Sequence, residues 1–149
     1  MKQQFDKLDA HILVNPQGNY SQIYLEHALK PRNTGNLPGA NGFAYAEGHD
    51  GNTMEVWLKV SDDIIEHASY WTDGCGTTIA CGSMATELAS GKSVVEALNL
   101  TPADIENALG GLPGEGCVCA ELAVNALKAA IRDYLQYKNE PWKRKYRRI

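Results

Sequence analysis

Between Thr53 and Val60, the apolar residues Met54, Val56, Leu58 and Val60 alternate with Thr53, Glu55, Trp57 and Lys59. A period of two sends one set to each side of a strand, so this stretch demands a half-buried strand with an apolar face against other elements. Its neighbours supply partners. Phe43-Ala44-Tyr45-Ala46-Glu47 reads as a strand, and Gly48-His49-Asp50-Gly51-Asn52 after it is a strong turn signal. Ser61-Asp62-Asp63 turns the chain again into a third run, Ile64 to Thr72. Three consecutive strands joined by short turns predict an antiparallel meander with one face left to cover.

Helical patterns supply the cover. Ile23, Tyr24, His27 and Ala28 form a stripe within a helix expected over Tyr20 to Leu29, capped by Asn19 or Ser21 and stopped by Lys30-Pro31. A second helix is expected over Thr77 to Leu88. Ser93-Val94-Val95-Glu96 is a capping box, and Thr101-Pro102-Ala103-Asp104 opens a further helix with proline in its first turn. The longest helix carries Leu122, Ala123, Ala126, Leu127, Ala130, Ile131 and Tyr134 on one stripe and is expected to lie across the sheet. The fold class is therefore α+β. His27 reads as a packed or surface histidine rather than a ligand, and Trp57 and Trp71 read as packing residues. Residues 1–149 are expected to form one domain, with 1–18 as an N-terminal arm and 138–149 as a basic tail.

An apolar fraction of 44% and a charged fraction of 21% suit a soluble globular chain. No window approaches the roughly 18 apolar residues of a membrane helix, and Met1-Lys2-Gln3-Gln4-Phe5-Asp6 does not start a secretion signal, so the cytoplasm is the expected compartment. The net charge of −4 is unevenly spread: residues 138–149 carry +5 and residues 1–137 carry −9. An acidic body argues against a nucleic-acid-binding domain, while the basic tail suits an acidic protein partner.

Four cysteines without a secretion signal point to metal or redox chemistry before disulfides. They fall in two clusters, Cys75 with Cys81 and Cys117 with Cys119. Gly74 and Gly76 flank Cys75 where a strand gives way to a helix, and the positive end of the helix dipole favours an ionised thiol there. Cys119 is expected at the start of the longest helix, after a glycine-rich loop. Two thiols at helix starts, with the polar His49-Asp50 turn, point to a metal or cluster site of mixed Cys, Asp and His ligation. Cys81 lies about 240° round the helix from Cys75 and reads as a buried core cysteine. A thiol oxidoreductase using Cys117 and Cys119 is a competing reading, but no adjacent base supports it.

From about Tyr24 to Tyr134 the chain resembles the U-type iron–sulfur cluster assembly scaffolds, IscU and the N-terminal domain of NifU. The resemblance rests on His27-Ala28-Leu29-Lys30-Pro31-Arg32-Asn33-Thr34-Gly35, Gly74-Cys75-Gly76, Ser83-Met84-Ala85-Thr86-Glu87-Leu88 with Gly91-Lys92-Ser93, and Cys119-Ala120-Glu121-Leu122-Ala123 with the helix that follows. It implies a three-stranded antiparallel sheet with helices packed on it, in a non-enzymatic scaffold. Such a scaffold accepts sulfur from a cysteine desulfurase, binds iron, builds a cluster, with 2Fe-2S expected, and passes it to apo iron–sulfur proteins or carriers. Zinc is a further expected occupant of the apo scaffold, and the protein is expected to be a monomer or dimer.

The family's second and third cysteines fall on Cys75 and Cys119, and its first falls on Asp50, or on His49 with a one-residue slip. Val118 replaces the histidine before the third cysteine, and Cys117 is an added thiol. The implied ligand set is Asp50, Cys75, Cys117 and Cys119, with Cys119 as sulfur acceptor and Cys117 able to relay. The competing implication is a zinc- or cluster-holding regulatory protein that has lost assembly activity. The family's chaperone-binding loop is reduced here to Leu112-Pro113-Gly114-Glu115-Gly116.

Overall fold

The structure, a computed structural model, describes residues 20–48, 51–114, 116–140 and 142. The expected N-terminal arm, the candidate ligands His49 and Asp50, and the tail beyond Trp142 lie outside the described residues.

The meander forms as its periodicity dictates. Strands β1 (Gly42–Glu47), β2 (Thr53–Ser61) and β3 (Ile64–Thr72) pair antiparallel in the order β1-β2-β3. Met54, Val56, Leu58 and Val60 are all buried on one face, beside Ala44 of β1 and Ala68 and Tyr70 of β3. The opposite face carries Phe43 tilted against Trp57, with ring centroids 5.4 Å apart. Trp71 on that face is 49% exposed, so the packing role expected of it is not seen. Asp62 and Asp63 both take positive φ, 52° and 60°, giving the primed turn whose twist matches a hairpin.

Both sheet edges are occupied. Along β3, Tyr70 N–H donates to Asn33 O (2.9 Å) and Gly35 N–H donates to Tyr70 O (2.8 Å). On β1, Phe43 N–H donates to the buried Asp133 Oδ2 at 2.9 Å. These contacts satisfy backbone groups that would otherwise template a foreign strand.

Five helices follow the expected order among the described residues: α1 (Gln22–Leu29), α2 (Gly76–Ala89), α3 (Val94–Leu98), α4 (Pro102–Ala108) and α5 (Gly116–Tyr137). Helix α1 starts two residues later than Tyr20 because Ser21 takes the N-cap, its Oγ accepting from Tyr24 N–H at 2.9 Å. Complete capping boxes start α3 at Ser93 and α4 at Thr101. Helices α2 and α5 pack over the apolar face of the sheet. The 22 residues of α5 span about 33 Å, and the chain presses its alanines Ala123, Ala126 and Ala130 inward. Helix α2 is buried on almost every side, a pattern that belongs to a central helix. A Cβ at Gly82 would lie 2.5 Å from the Tyr70 ring, so only glycine lets α2 approach β3 this closely.

The far end of α5 is tied to the β2–β3 turn. Asp63 Oδ1 accepts from Tyr134 Oη–H (2.7 Å) and from Lys138 Nζ (3.3 Å). Lys138, grouped by sequence with the basic tail, is thereby part of the folded body.

Candidate functional site

The chemistry-bearing residues gather at the end of the sheet where β2 begins and β3 ends. Thr72 Oγ1–H donates to Thr53 O at 2.6 Å and accepts from Gly74 N–H at 3.1 Å. Asp73 Oδ1 accepts from Thr53 N–H at 2.8 Å. Asp73-Gly74-Cys75 is therefore fastened to the first residue of β2, the strand that emerges from the β1–β2 turn. The flanks of that turn are closed by Gly48 N–H donating to Asn52 O at 2.7 Å.

Cys75 is the N-cap of α2, in extended conformation (φ −76°, ψ −178°), with its sulfur exposed. Its sulfur does not reach the helix N–H groups closely enough for a capping hydrogen bond. Those groups nevertheless act on it. Partial burial opposes ionisation of the thiol. The N–H and hydroxyl of Thr78, the N–H of Thr77 and the Cys119 thiol outweigh burial and hold its pKa below the ordinary cysteine value. The sequence-based expectation of an activated thiol at a helix start therefore holds for Cys75.

Cys119 arrives from α5. That helix begins at Gly116, after a turn in which Gly116 N–H donates to Pro113 O at 2.9 Å. Cys117-Val118-Cys119, expected after a loop, thus lies inside the first turn of the helix. Cys119 is half-buried, and its Sγ accepts from the Thr78 hydroxyl at 3.2 Å. The same Thr78 Oγ1 is 3.7 Å from Cys75 Sγ. Two cysteines 44 positions apart in sequence thus share one hydroxyl between two helix starts.

The other two cysteines separate. Cys81 is fully buried, and burial first, then the neighbouring Cys119 and Cys75 sulfurs, push its thiol far up, as expected of a core cysteine. Cys117 is exposed, and among the described residues no three His, Cys, Asp or Glu side chains converge on one point. The structure therefore unites Cys75 with Cys119 and leaves Cys117 apart from them, while Asp50 and His49 lie outside the described residues.

Sequence reasoning missed Thr77 and Thr78. The Tyr24 hydroxyl and Thr77 Oγ1 are hydrogen-bonded at 2.8 Å, bracing α1 against the start of α2, and Tyr20 stacks on Tyr24 with centroids 5.2 Å apart. The spacing of Cys75 and Thr78, an N-cap and its third helical residue, was the available signal. His27 is buried as a packing residue, with Nδ1 2.6 Å from Ser83 Oγ, and is not at the cysteine site. On the open face of the sheet, a groove of about 720 Å³ lined by Phe43, Glu55, Trp57, Trp71 and residues 36–40 holds none of the four cysteines.

Known proteins share this architecture. The iron-sulfur cluster assembly scaffold protein IscU of Aquifex aeolicus is 43% identical over 119 residues, covering 78% of this chain and 76% of that protein. Iron-sulfur cluster assembly scaffold protein IscU 1 of Archaeoglobus fulgidus is 41% identical over 118 residues, covering 78% of this chain and 77% of that protein. The crystal structure of a nitrogen-fixing NifU-like protein (N-terminal) from Brucella abortus superposes with a TM-score of 0.62 at 17% identity, covering 78% of this chain and 94% of that one, a likeness of fold. Residues 19–141 match the family described as NifU-like N terminal domain, and with four-fifths of its length inside that match the chain belongs to this family.

Proposed function

We propose that this protein is a scaffold on which iron–sulfur clusters are assembled, with Cys75 and Cys119 as the paired thiolate ligands. The observation that carries the reading is the meeting of these two sulfurs across one hydroxyl at the end of the sheet, in a chain of this family. Thiolates are the natural ligands of iron in such clusters, and two of them from separate helices make half of a four-thiolate set. Asp50 supplies a further ligand in this reading: it precedes by three positions in sequence Thr53, whose N–H donates to Asp73 beside Gly74-Cys75. Cys117, on the exposed first turn of α5, passes sulfur to Cys119 or completes the ligand set after local rearrangement. A carboxylate in place of a thiolate leaves the cluster more labile, which suits a donor.

Sulfur arrives as the persulfide of a cysteine desulfurase. Cys119 attacks its outer sulfur, and the desulfurase cysteine leaves as a thiolate. An external electron donor reduces this sulfane sulfur to sulfide as ferrous iron joins, and the 2Fe-2S cluster so built moves to apo iron–sulfur proteins or carriers in the cytoplasm. The protein itself acts as carrier rather than enzyme.

Anaerobic incubation with ferrous iron, cysteine, a thiol reductant and catalytic desulfurase, followed by addition of an apo-ferredoxin, tests the reading. The expected result is a cluster spectrum on the scaffold that moves to the ferredoxin. Zinc bound tightly with no transferable cluster would instead establish a metal-holding protein. Replacing Asp50→Cys is expected to slow release to the ferredoxin at least several-fold, measured as the transfer rate. Asp50→Ala is expected to lower the amount of cluster bound.

A further inference from the structure

The Thr78 side chain is fully buried, yet its hydroxyl does not turn back to its own helix. Buried threonines in helices commonly donate to the carbonyl three or four residues earlier. Thr86, two turns further along α2, does so, with Oγ1 at 2.9 Å from Ser83 O and 3.1 Å from Gly82 O. Thr78 instead donates to Cys119 Sγ at 3.2 Å and stands 3.7 Å from Cys75 Sγ. The loop in front of it is shaped to its side chain: a Cβ on Gly74 would lie 2.6 Å from both Thr78 Cβ and Thr78 Oγ1. The hydroxyl is thus held from behind by the loop and aimed at the sulfur of another helix.

We propose that Thr78 is a positioning residue for sulfur acceptance, its hydroxyl holding Cys119 Sγ on the side that faces Cys75. This rests on the scaffold reading and deepens it by saying why Cys119 takes the sulfur in preference to Cys117. Both thiols lie within the first turn of α5, two residues apart, and both are reached from solvent. The Cys119 side chain has staggered rotamers to choose from, and a hydrogen bond from a rigid, buried donor favours the one that turns its sulfur towards Cys75. Sulfane sulfur bound there lies beside Cys75, where a growing cluster needs it. In the transfer, the Cys119 thiolate forms a bond to the outer sulfur of the donor persulfide. The donor's own S–S bond breaks, and its cysteine leaves with the bonding pair. The proton lost from Cys119 goes to the departing thiolate or to solvent. No electron changes hands, so no oxidant is required.

The test uses the full-length, metal-free protein under anaerobic conditions with inorganic polysulfide as sulfur donor. Trapping with an alkylating agent and tandem mass spectrometry then read the sulfane sulfur on Cys75, Cys117 and Cys119 separately. Thr78→Val keeps the shape and removes the hydroxyl, whereas Thr78→Ser keeps the hydroxyl. The ratio of Cys119 to Cys117 loading is expected to fall about fivefold in Thr78→Val, the scale of one hydrogen bond, and to stay near the wild-type ratio in Thr78→Ser. An unchanged ratio in a folded Thr78→Val protein overturns the proposal, as does an equal fall in Thr78→Ser. Should Thr78→Val lose its far-ultraviolet dichroism, Gly74→Ala decides the matter, because it displaces the same hydroxyl from the loop side. A wild-type ratio in that variant overturns the proposal and a similar fall supports it. Polysulfide loading needs neither desulfurase nor iron, so failure of this inference is distinguishable from failure of the scaffold reading, which shows as wild-type protein unable to form a transferable cluster.

Discussion

Cys81 and Thr78 occupy the same helix and are both sealed from solvent, and it is Thr78 that donates a hydrogen bond to one of the paired sulfurs. The Cys81 thiol is held protonated by its apolar surroundings, with Cys75 and Cys119 adding repulsion. Cys75→Ser and Cys119→Ser are therefore each expected to abolish cluster loading, measured as bound iron and sulfide. Cys81→Ser is expected to retain loading and to lose about 1–3 kcal/mol of stability in denaturant titration, the cost of burying a hydroxyl in place of a thiol. His27 offers a pH test of a different residue. Burial, then the Arg32 cation, depress its pKa, against opposing effects of Glu87 and Glu26. The folded protein therefore binds fewer protons at this site than the unfolded chain. Its stabilising contribution is complete above the unfolded value of about 6.5 and is lost as pH falls from there through the lower folded value. Wild-type stability is expected to drop as pH falls below about 6.5, and His27→Gln is expected to flatten that part of the profile.

Short helices here depend on their caps, and long ones on their packing. Helix α3 has five residues, too few to persist alone, and its reciprocal Ser93–Glu96 capping box closes two backbone donors. Ser93→Ala is expected to cost about 1 kcal/mol. Helix α5 takes its stability from the buried stripe through Leu127 and Ile131, both sealed in the core. Ile131→Ala is expected to cost about 2–5 kcal/mol by the transfer and cavity effects of a large core truncation. Chemical denaturation of the two variants checks the ordering, and equal losses would show that α5 does not anchor the core.

Charge is separated along the chain, with +5 in residues 138–149 against −9 in residues 1–137. Lys138 is engaged with Asp63 at 3.2 Å, so the remainder of the basic segment is what an acidic partner surface would attract. Deleting residues 141–149 is expected to leave cluster loading intact and to slow sulfur acceptance from the desulfurase, chiefly through a lower association rate. The difference between full-length and truncated protein is expected to shrink as salt shortens the screening length below about 10 Å. Stopped-flow sulfur transfer at two ionic strengths measures it, and identical rates with identical salt dependence would remove the tail from docking.

Periodicity and punctuation alone determined the meander, the order of the helices and most of their caps, because those are local properties. Alternation at Met54 to Val60 depends on which way each Cβ points, and the boxes at Ser93 and Thr101 close over three residues. The burial of Cys81 was legible from the angle between helical positions. The start of α5 was not, because Gly116, Cys117 and Val118 carry little helical signal and join the helix only through the Pro113 turn in front of them. Nor was the role of Thr78, whose partner Cys119 is 41 residues away. A threonine in the first turn of a helix has several near hydrogen-bond acceptors, and only the packing of α5 beside α2 decides that its hydroxyl meets a sulfur. The cysteine types were written in the chain, while the distance between them was decided by tertiary structure, because local pattern carries no information about contacts closed over forty residues.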